Sequence, residues 1–381
     1  MARVVVGSYL VRFPVGGYMS WVLQFLVGFR QLGHEVFFVE KAGPGEVYDP
    51  VTDRMGDDGT HGMRLLDGLL RRFDLERNWC FVDASGEYHG LSRSKVAGIL
   101  GEADVFVDMG DRGAWAAETP ASCARLLIDG EPGTTQMRWA RMREAGGELP
   151  RYDHYFTVGR NVAAGTAATP DLGINWQPMF DPVVTDLHPL QDPPRDAAFT
   201  TVMSWQATTP IEYGGRAYGM KDVEFERFFE LPRHTPERLE IAVAGAHTPL
   251  QRLTNAGWSV RDAHAATTTY DAFVDYIRAS KGEFSVAKNV FVATHSGFFS
   301  DRSAVYLACG RPVVLQDTGF SAHLPCGEGL FAVSSIDEAA AAIEMIAAEY
   351  YRHSQAARRI ACEFLDTRVV LAGLLRRVGV T

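Results

Sequence analysis

Residues 290–320, VFVATHSGFFSDRSAVYLACGRPVVLQDTGF, decide the fold that this sequence predicts. The pattern predicts a strand at VFVAT, a polar loop, a helix at AVYLAC, a Gly-Arg-Pro turn and a second buried strand at VVL. Serine and aspartate at the end of the loop are good N-cap residues, and Gly310 and Pro312 are typical of a helix end. A helix that opens just after a strand presents free backbone N–H groups and the positive end of its dipole. This stretch therefore predicts an anion-binding site.

The polar side chains of the loop and the first helical turn are the predicted ligands of a diphosphate at this site. The predicted set is His295, Ser296, Ser300, Asp301, Arg302 and Ser303. Lys288 precedes His295 by seven residues and adds a cation within reach of phosphate. A solvated lysine and an ordinary helix cap are the alternatives, but the elements on both sides favour a binding site.

The stretch resembles the nucleotide-sugar site of glycosyltransferases that have two Rossmann-like domains, the GT-B fold. In those enzymes a His-x-Gly-x-x-Ser loop starts the helix that holds the donor diphosphate, and His295, Gly297 and Ser300 stand in that order. After the Gly-x-Pro turn and the next strand, the family has an Asp/Gln pair that holds sugar hydroxyls. Gln316 and Asp317 occupy those positions.

The sequence also departs from the known GT-B signatures. Its Gly-x-Pro turn lies slightly later than in the plant-type signature. Another large branch has paired glutamates around this helix, and here those positions are Gly297 and Val305. The resemblance therefore implies the fold and a nucleoside-diphosphate-sugar donor of the UDP or dTDP type. It does not imply which sugar is transferred, or whether the anomeric configuration is inverted.

The composition fits a protein of two ordinary domains. The chain has 381 residues, of which 46% are hydrophobic and 22% charged, with a mean hydropathy of −0.08. The net charge of −10 and the lack of any Lys/Arg run argue against nucleic acid as a partner. Five scattered cysteines without metal-ligand spacing indicate reduced thiols. We find no apolar run of membrane-spanning length and no secretory signal, so we expect a cytoplasmic protein without a transmembrane segment.

The chain is predicted to be an α/β protein with two Rossmann-like domains facing a central cleft. We expect an acceptor-binding domain at residues 1–185, a nucleotide-sugar-binding domain at residues 186–350, and a terminal helical segment, residues 351–381, that crosses back to the first domain. Four prolines mark residues 180–198 as the linker between the two domains. A homodimer is possible, since the sequence is silent on oligomeric state.

Three further residues could contact the donor. Gly16 and Gly17 lie between the first strand and the first helix, where glycine allows close approach of a ligand. The full Gly-x-Gly-x-x-Gly fingerprint is missing, which argues against NAD. Trp205 follows the first strand of the second domain and could stack on a nucleobase or lie in the core. The Gly-rich residues 214–222, which include Tyr218 and Lys221, suit a mobile segment that closes on the donor.

Carboxylates that follow strands of the first domain are the candidate catalytic bases. Asp129 is the first choice, followed by Glu131 and Asp111, because they are expected at the carboxyl ends of parallel strands. An inverting transferase needs such a base to take a proton from the acceptor hydroxyl. The DGE sequence at Asp129 also looks like the Asp-x-Asp metal site of the other glycosyltransferase fold. The two-domain pattern argues against that reading, so no metal ligand and no permanently bound cofactor are expected.

These features predict a metal-independent glycosyltransferase that moves a sugar from a nucleoside diphosphate to a small-molecule acceptor. The Ala-, Arg- and Gly-rich composition is typical of a GC-rich bacterial genome, for which natural-product biosynthesis is a plausible setting. Two alternatives stay open at this point. One is a nucleotide-sugar epimerase or hydrolase of the same fold, and the other is a catalytically silent partner protein that kept the fold.

Overall fold

The computed structural model describes residues 1–50, 52–110 and 113–380. The first half of the chain alternates strands with helices. Its strands are β1 (Arg3–Gly7), β2 (Glu35–Lys41), β3 (Val47–Asp49), β4 (Arg54–Gly56), β5 (Trp79–Val82), β6 (Tyr88–Gly90), β7 (Val105–Asp108), β8 (Ala124–Asp129), β9 (His154–Thr157) and β10 (Trp176–Pro178). Its helices are α1 (Gly16–Gln31), α2 (Thr60–Arg71), α3 (Arg93–Gly101), α4 (Thr134–Glu144) and α5 (Arg160–Ala163).

Eight of these strands form one sheet in the order β10-β9-β8-β7-β1-β2-β5-β6. All neighbouring pairs are parallel except β5 and β6, while β3 and β4 form a separate hairpin. The central strands β1 and β7 are buried except at Arg3, because helices cover both faces, which explains their Val- and Phe-rich runs.

The second half builds another parallel sheet. Its strands are β11 (Phe199–Ser204), β12 (Ile211–Tyr213), β13 (Arg216–Tyr218), β14 (Leu239–Ala244), β15 (Ser259–Asp262), β16 (Gly282–Ser285), β17 (Val313–Gln316) and β18 (Leu330–Val333). Its helices are α6 (Lys221–Phe225), α7 (Leu250–Ala256), α8 (Ala263–Thr267), α9 (Tyr270–Arg278), α10 (Asn289–Ala293), α11 (Asp301–Ala308), α12 (Ile336–Ala348), α13 (Tyr350–Ile360) and α14 (Thr367–Arg377). The sheet order is β15-β14-β11-β16-β17-β18, and the hairpin β12–β13 stands apart from it. The predicted α/β class with parallel sheets is confirmed.

One predicted element is wrong. The run VFVAT was expected to be a strand, but it lies in the short helix α10, and the strand of this unit is β16. Val290 and Phe291 are buried beside Met137 of the first half, so their apolar character reflects packing between the two halves. A short apolar run cannot by itself distinguish a strand from a buried helical turn. The following elements, α11 and β17, lie where the sequence predicts them.

The two halves pack through α1. Gly16 of α1 lies against Thr269 and Phe273 at the start of α9, and Gly28 lies against Thr367 and Leu371 of α14. The C-terminal helix α14 therefore rests on the first half of the chain. Asp366 caps α14 by accepting a hydrogen bond from Arg368 N, and its other carboxylate oxygen accepts one from the Thr185 hydroxyl. In the described residues no helix has the length and hydropathy that a bilayer span requires.

Candidate active site between the two sheets

Loops at the carboxyl ends of both sheets meet between the two halves. Lys288, just before α10, donates from Nζ to Glu131 Oε1 of the β8–α4 loop over 2.5 Å. Asn161 of α5 donates from its backbone N to Ser296 O over 3.0 Å and from Nδ2 to His295 O over 2.9 Å. The structure thus brings together predicted site residues that come from opposite halves of the chain.

Three cations gather beside the N-terminus of α11. Lys221, the first residue of α6, lies close enough to Arg302 and Lys288 to interact electrostatically with both. Burial lowers the pKa of Lys221 well below its ordinary value, and the charges of Arg302 and Lys288 lower it further, while the nearby carboxylates of Glu283 and Asp301 oppose the shift. Among the described residues Lys221 has no hydrogen-bond or ion-pair partner. A bound anion would stabilise the charged form of this buried amine, so the arrangement suits a diphosphate.

The predicted ligand Arg302 is engaged within its own half. Its guanidinium donates to Glu283 Oε1 at 2.7 Å, to Val202 O at 2.8 Å and to Ser285 Oγ at 2.7 Å. Glu283 is fully buried, so the two charges compensate each other at the ends of β11 and β16. Ser303 is also fully buried, and its hydroxyl has no hydrogen-bond partner among the residues that the structure describes. Arg302 therefore contributes positive charge and positions the strand ends.

The loop before α11 is held in an unusual conformation. His295 has a positive φ of 51° and an exposed side chain, and its ring lies over Gly319, where a Cβ would come within 2.8 Å of Nε2. The Ser296 hydroxyl accepts from Phe298 N at 3.3 Å. Ser300 is the N-cap residue of α11. Asp301 opens the helix with a pKa that burial raises.

Gln316 and Asp317 are both used in local structure. The Gln316 carboxamide accepts from Ala287 N and donates to Glu224, and its side chain is buried. Asp317 accepts from Gly319 N at 2.8 Å and from the Ser321 hydroxyl at 2.7 Å. Their bonds fix the strand end and the following turn around the crevice.

Trp205 and Gly16 have packing roles. Trp205 is 4% exposed and packs edge-on against Phe225 at 5.5 Å, so the core alternative is the one that the structure shows. A Cβ at Gly16 would overlap Thr269 O, so glycine is required there for contact between helices. Gly17 differs, because no atom of the described residues lies within 4 Å of a Cβ built on it. Of these three residues, Gly17 alone has open space beside it in the part of the chain that the structure describes.

The three predicted bases have different environments. Each carboxylate oxygen of Asp129 accepts two hydrogen bonds: Oδ1 from Glu131 N and Thr135, and Oδ2 from Gln136 and Thr157. Asp129 thus stabilises the β8–α4 loop and is buried behind it. Glu131 is half exposed and paired with Lys288. Asp111 lies outside the described residues.

Sequence reasoning missed one carboxylate between the halves. Asp181 follows β10 in the linker, is 5% exposed and accepts from Trp21 Nε1 at 2.8 Å. Burial raises the pKa of Asp181, and the nearby charge of Asp301 raises it further. A proline-rich linker gives no sign that one of its aspartates is buried, so the sequence carries no usable signal for this residue.

One group of potential metal ligands occurs in the described residues, outside this crevice. Asp83, Glu87 and His89 surround the turn between β5 and β6 near the sheet edge. Asp83 accepts hydrogen bonds from Ser85 and Glu87 N and pairs with His89 at 2.7 Å. These bonds account for the cluster as turn structure.

Two mainly parallel sheets whose carboxyl ends face each other across a crevice are the arrangement of the GT-B architecture. No protein-family model and no curated protein sequence matches the chain. Solved structures do match over the full length of the chain.

An α-glucosyltransferase in complex with UDP matches with a TM-score of 0.59 and 11% identity, covering 100% of both chains. AviGT4, a glycosyltransferase involved in avilamycin A biosynthesis, matches with a TM-score of 0.56 and 14% identity, covering 100% of this chain and 97% of its own. Alr3699/HepE from Anabaena, in complex with UDP and glucose, gives 0.58 and 10%, covering 100% of both chains. These likenesses confirm the predicted GT-B fold.

Proposed function

We propose that the protein is a cytoplasmic glycosyltransferase that uses a nucleoside-diphosphate sugar and a small-molecule acceptor. The observation that carries the proposal is the unpaired Lys221, placed with Lys288 and Arg302 beside the N-terminus of α11. UDP in the structures of two neighbours supports a nucleotide donor of this kind. In this proposal residues 1–185 bind the acceptor and residues 186–350 bind the donor, while residues 351–381 return to the first domain.

A cavity beside Lys221 suits the nucleoside part of the donor. It has a volume of about 460 Å³ and opens at the carboxyl ends of β11 and β14. Gln206, Thr208, Met220, Asp222 and His247 are among its lining residues. In this proposal the cavity binds the nucleobase, which is the role that was predicted for Trp205. The diphosphate then points from the cavity toward α11.

The cations supply transition-state stabilisation. Cleavage of the anomeric bond leaves negative charge on the diphosphate, and positioned cations lower the barrier most in a crevice with little water. The incoming diphosphate competes with Glu131 for Lys288. Release of Glu131 would leave a carboxylate free at the acceptor side to take the hydroxyl proton. In this proposal the protein needs no metal for charge neutralisation.

A small molecule is favoured over nucleic acid as the acceptor. The net charge of −10 opposes binding to a phosphate backbone, although some solved structures of the α-glucosyltransferase neighbour contain DNA. AviGT4, described as an enzyme of avilamycin A biosynthesis, supports a setting in bacterial natural-product biosynthesis.

The first prediction concerns Lys221→Met, tested by isothermal titration with UDP, dTDP, GDP and ADP. Removal of the unpaired cation should weaken binding of the preferred diphosphate by about tenfold or more, roughly 1.4 kcal/mol. Thermal stability should hold or rise, because the substitution removes a charge that burial disfavours. Lys95→Met, at an exposed position on α3, is the matched control and should bind like wild type.

Equal affinity of Lys221→Met and wild type would show that the diphosphate site is misplaced. Product analysis with the UDP-sugar alone separates the remaining alternatives. Rapid epimerisation, or one free sugar per nucleotide released, would favour the epimerase or hydrolase. Absence of binding to every diphosphate would favour a silent partner protein.

A further inference from the structure

Three aromatic side chains form a wall at the carboxyl ends of β1, β7 and β8. We call Tyr9, Tyr18 and Trp21 the aromatic wall. The Tyr9 and Tyr18 rings meet edge-on with centroids 5.1 Å apart, and Tyr9 lies 6.2 Å from Trp21. Tyr18 is 40% exposed, so its ring is open to a ligand. None of these residues has a place in the donor site described above.

The surrounding backbone is shaped to hold this wall. A Cβ at Gly110 would come within 2.7 Å of the Tyr9 ring, and one at Gly130 would lie 3.6 Å from the Trp21 ring. The buried Glu40 carboxylate accepts from the backbone N atoms of residues 10–12 and thereby fixes the segment after Tyr9. The rings are held in place by these contacts. The wall is therefore organised before any ligand binds.

The wall faces the crevice between the two halves. The charges of Glu131 from the first half and Asp301 from the second act on both Tyr9 and Tyr18. The Arg12 guanidinium also lies 5.7 Å from the Tyr9 ring centroid. Neither hydroxyl has a hydrogen-bond partner in the part of the chain that the structure describes. Trp21 binds Asp181 Oδ1, while Asp181 Oδ2 has no partner among those residues. The apolar faces of the aromatic rings thus lie beside carboxyl and hydroxyl groups that can still form hydrogen bonds with a ligand.

This combination selects one kind of acceptor. Aromatic faces bind an apolar ring face, and carboxylates accept hydrogen bonds only from donors such as hydroxyls. An anionic acceptor would be repelled by the Glu131 carboxylate, whose charge acts on both tyrosines. A wholly apolar acceptor would cover buried carboxylate oxygen without satisfying it, which is costly. A neutral ring that carries several hydroxyls satisfies both features.

We propose that the acceptor is a neutral sugar ring that lies on Tyr18 and Tyr9 and donates a hydroxyl to Asp181. This inference rests on the proposed glycosyltransferase function and names the substrate class of its acceptor site. The protein then extends a glycoside that already carries at least one sugar. A reaction that attaches a first sugar must supply its substrate.

The test is saturation-transfer NMR with the full chain, with and without saturating UDP. The probes are neutral methyl glycosides, simple phenols and glucuronic acid, and UDP affinity is measured separately by titration. We expect a neutral glycoside to bind wild type, and Tyr18→Ala to weaken that binding by about tenfold, as loss of a stacking aromatic does. UDP affinity should be unchanged in Tyr18→Ala. Tyr351→Ala, at an exposed tyrosine on α13, should behave as wild type in both assays.

Three outcomes would overturn the inference while UDP still binds. These are binding of phenols or glucuronic acid in preference to glycosides, no binding of any probe, and glycoside binding by Tyr18→Ala that equals wild type. Failure of UDP and the other diphosphates to bind would instead show that the proposed function is wrong. The titration separates the two kinds of failure, because Tyr18 does not contribute to the cation pocket.

Discussion

Three ionisable side chains in the crevice have pKa values shifted toward their neutral forms. Lys221 has a lowered pKa, while Asp181 and Asp301 have raised ones, and burial is the main cause in each case. Such opposed shifts in one crevice are typical of sites that move charge or protons. Structural ion pairs also shift pKa values, so the test must be made at individual residues.

Asp181→Asn should make stability less dependent on pH. The folded-state pKa of Asp181 is raised from 3.8 to about 8, so the fold favours the protonated carboxyl. That stabilisation is fully present below the unfolded pKa and is lost as pH rises through the folded pKa. Asparagine mimics the protonated form. Its advantage in free energy of unfolding should grow from pH 4 toward pH 8, by at most about 1.4 kcal/mol per pH unit.

Urea unfolding of wild type and Asp181→Asn at pH 5 and pH 8 measures this effect. Asp186→Asn serves as control, because Asp186 is five residues further along the same segment and exposed. An advantage of Asp181→Asn that is equal at both pH values would contradict the assigned protonation state.

At single residues, the sequence pointed to side chains that follow strands. Glu131 and Lys288 were both singled out as site residues, and the structure brings them into contact across the crevice. Burial gives other such residues packing roles that the sequence does not reveal. Both carboxylate oxygens of Asp129 accept hydrogen bonds within the first half of the chain, and Trp205 packs in a core. Asp181 was missed because a linker sequence does not reveal which residues become buried.

Helix α1 is the element on which both the site and the docking of the two halves depend. Its first turn carries Tyr18 and two glycines, and its remaining length packs against α9 and α14. Residues 18–32, YMSWVLQFLVGFRQL, have apolar residues at helical spacing, so the sequence itself indicates this helix. The partner helices could not be predicted, because they lie hundreds of residues away in sequence.

The adjacent glycines of α1 should respond oppositely to alanine. Gly16→Ala forces a methyl group into Thr269 O and Phe273, so we expect a loss of about 1–3 kcal/mol or more in free energy of unfolding. Gly17→Ala meets nothing within 4 Å and should be neutral or stabilising by up to about 1 kcal/mol. Thermal and urea unfolding of both variants measure the difference. Similar destabilisation by both would show that α1 does not pack on α9 as described.

Elements with clear start and stop signals were predicted, and those set by tertiary contacts were not. Helix α11 has Ser300 as N-cap and Gly310 after its end, and its bounds follow from those residues. The run VFVAT has neither signal and became helix α10 through burial against the first half. The Gly-rich residues 214–222, for which a mobile segment stays a prediction, complete the hairpin β12–β13 and begin α6.

At the scale of the whole molecule, an ion pair between Lys288 and Glu131 bridges the crevice, and a bound nucleotide-sugar donor would disrupt it. Lys288 and Glu131 join the halves beside Lys221, and their side chains are 23% and 46% exposed. An ion pair this accessible contributes little net stability, about 0–1 kcal/mol. The bridge can therefore open when a diphosphate offers Lys288 a stronger partner.

Glu131→Gln should raise nucleotide affinity while it lowers turnover. Without the competing carboxylate, Lys288 is free for the diphosphate, and affinity should improve by up to about fivefold, the equivalent of the upper value of about 1 kcal/mol that the pair contributes. If Glu131 is also the base on the acceptor side, kcat should fall by about 100-fold or more. Titration with UDP and steady-state kinetics with the acceptor measure the two effects separately. Glu118→Gln, which breaks a similar pair with Lys41 away from the crevice, should change neither quantity. Tighter UDP binding by Glu131→Gln with an unchanged kcat would exclude Glu131 as the base. Its role would then be to hold the two halves together through Lys288.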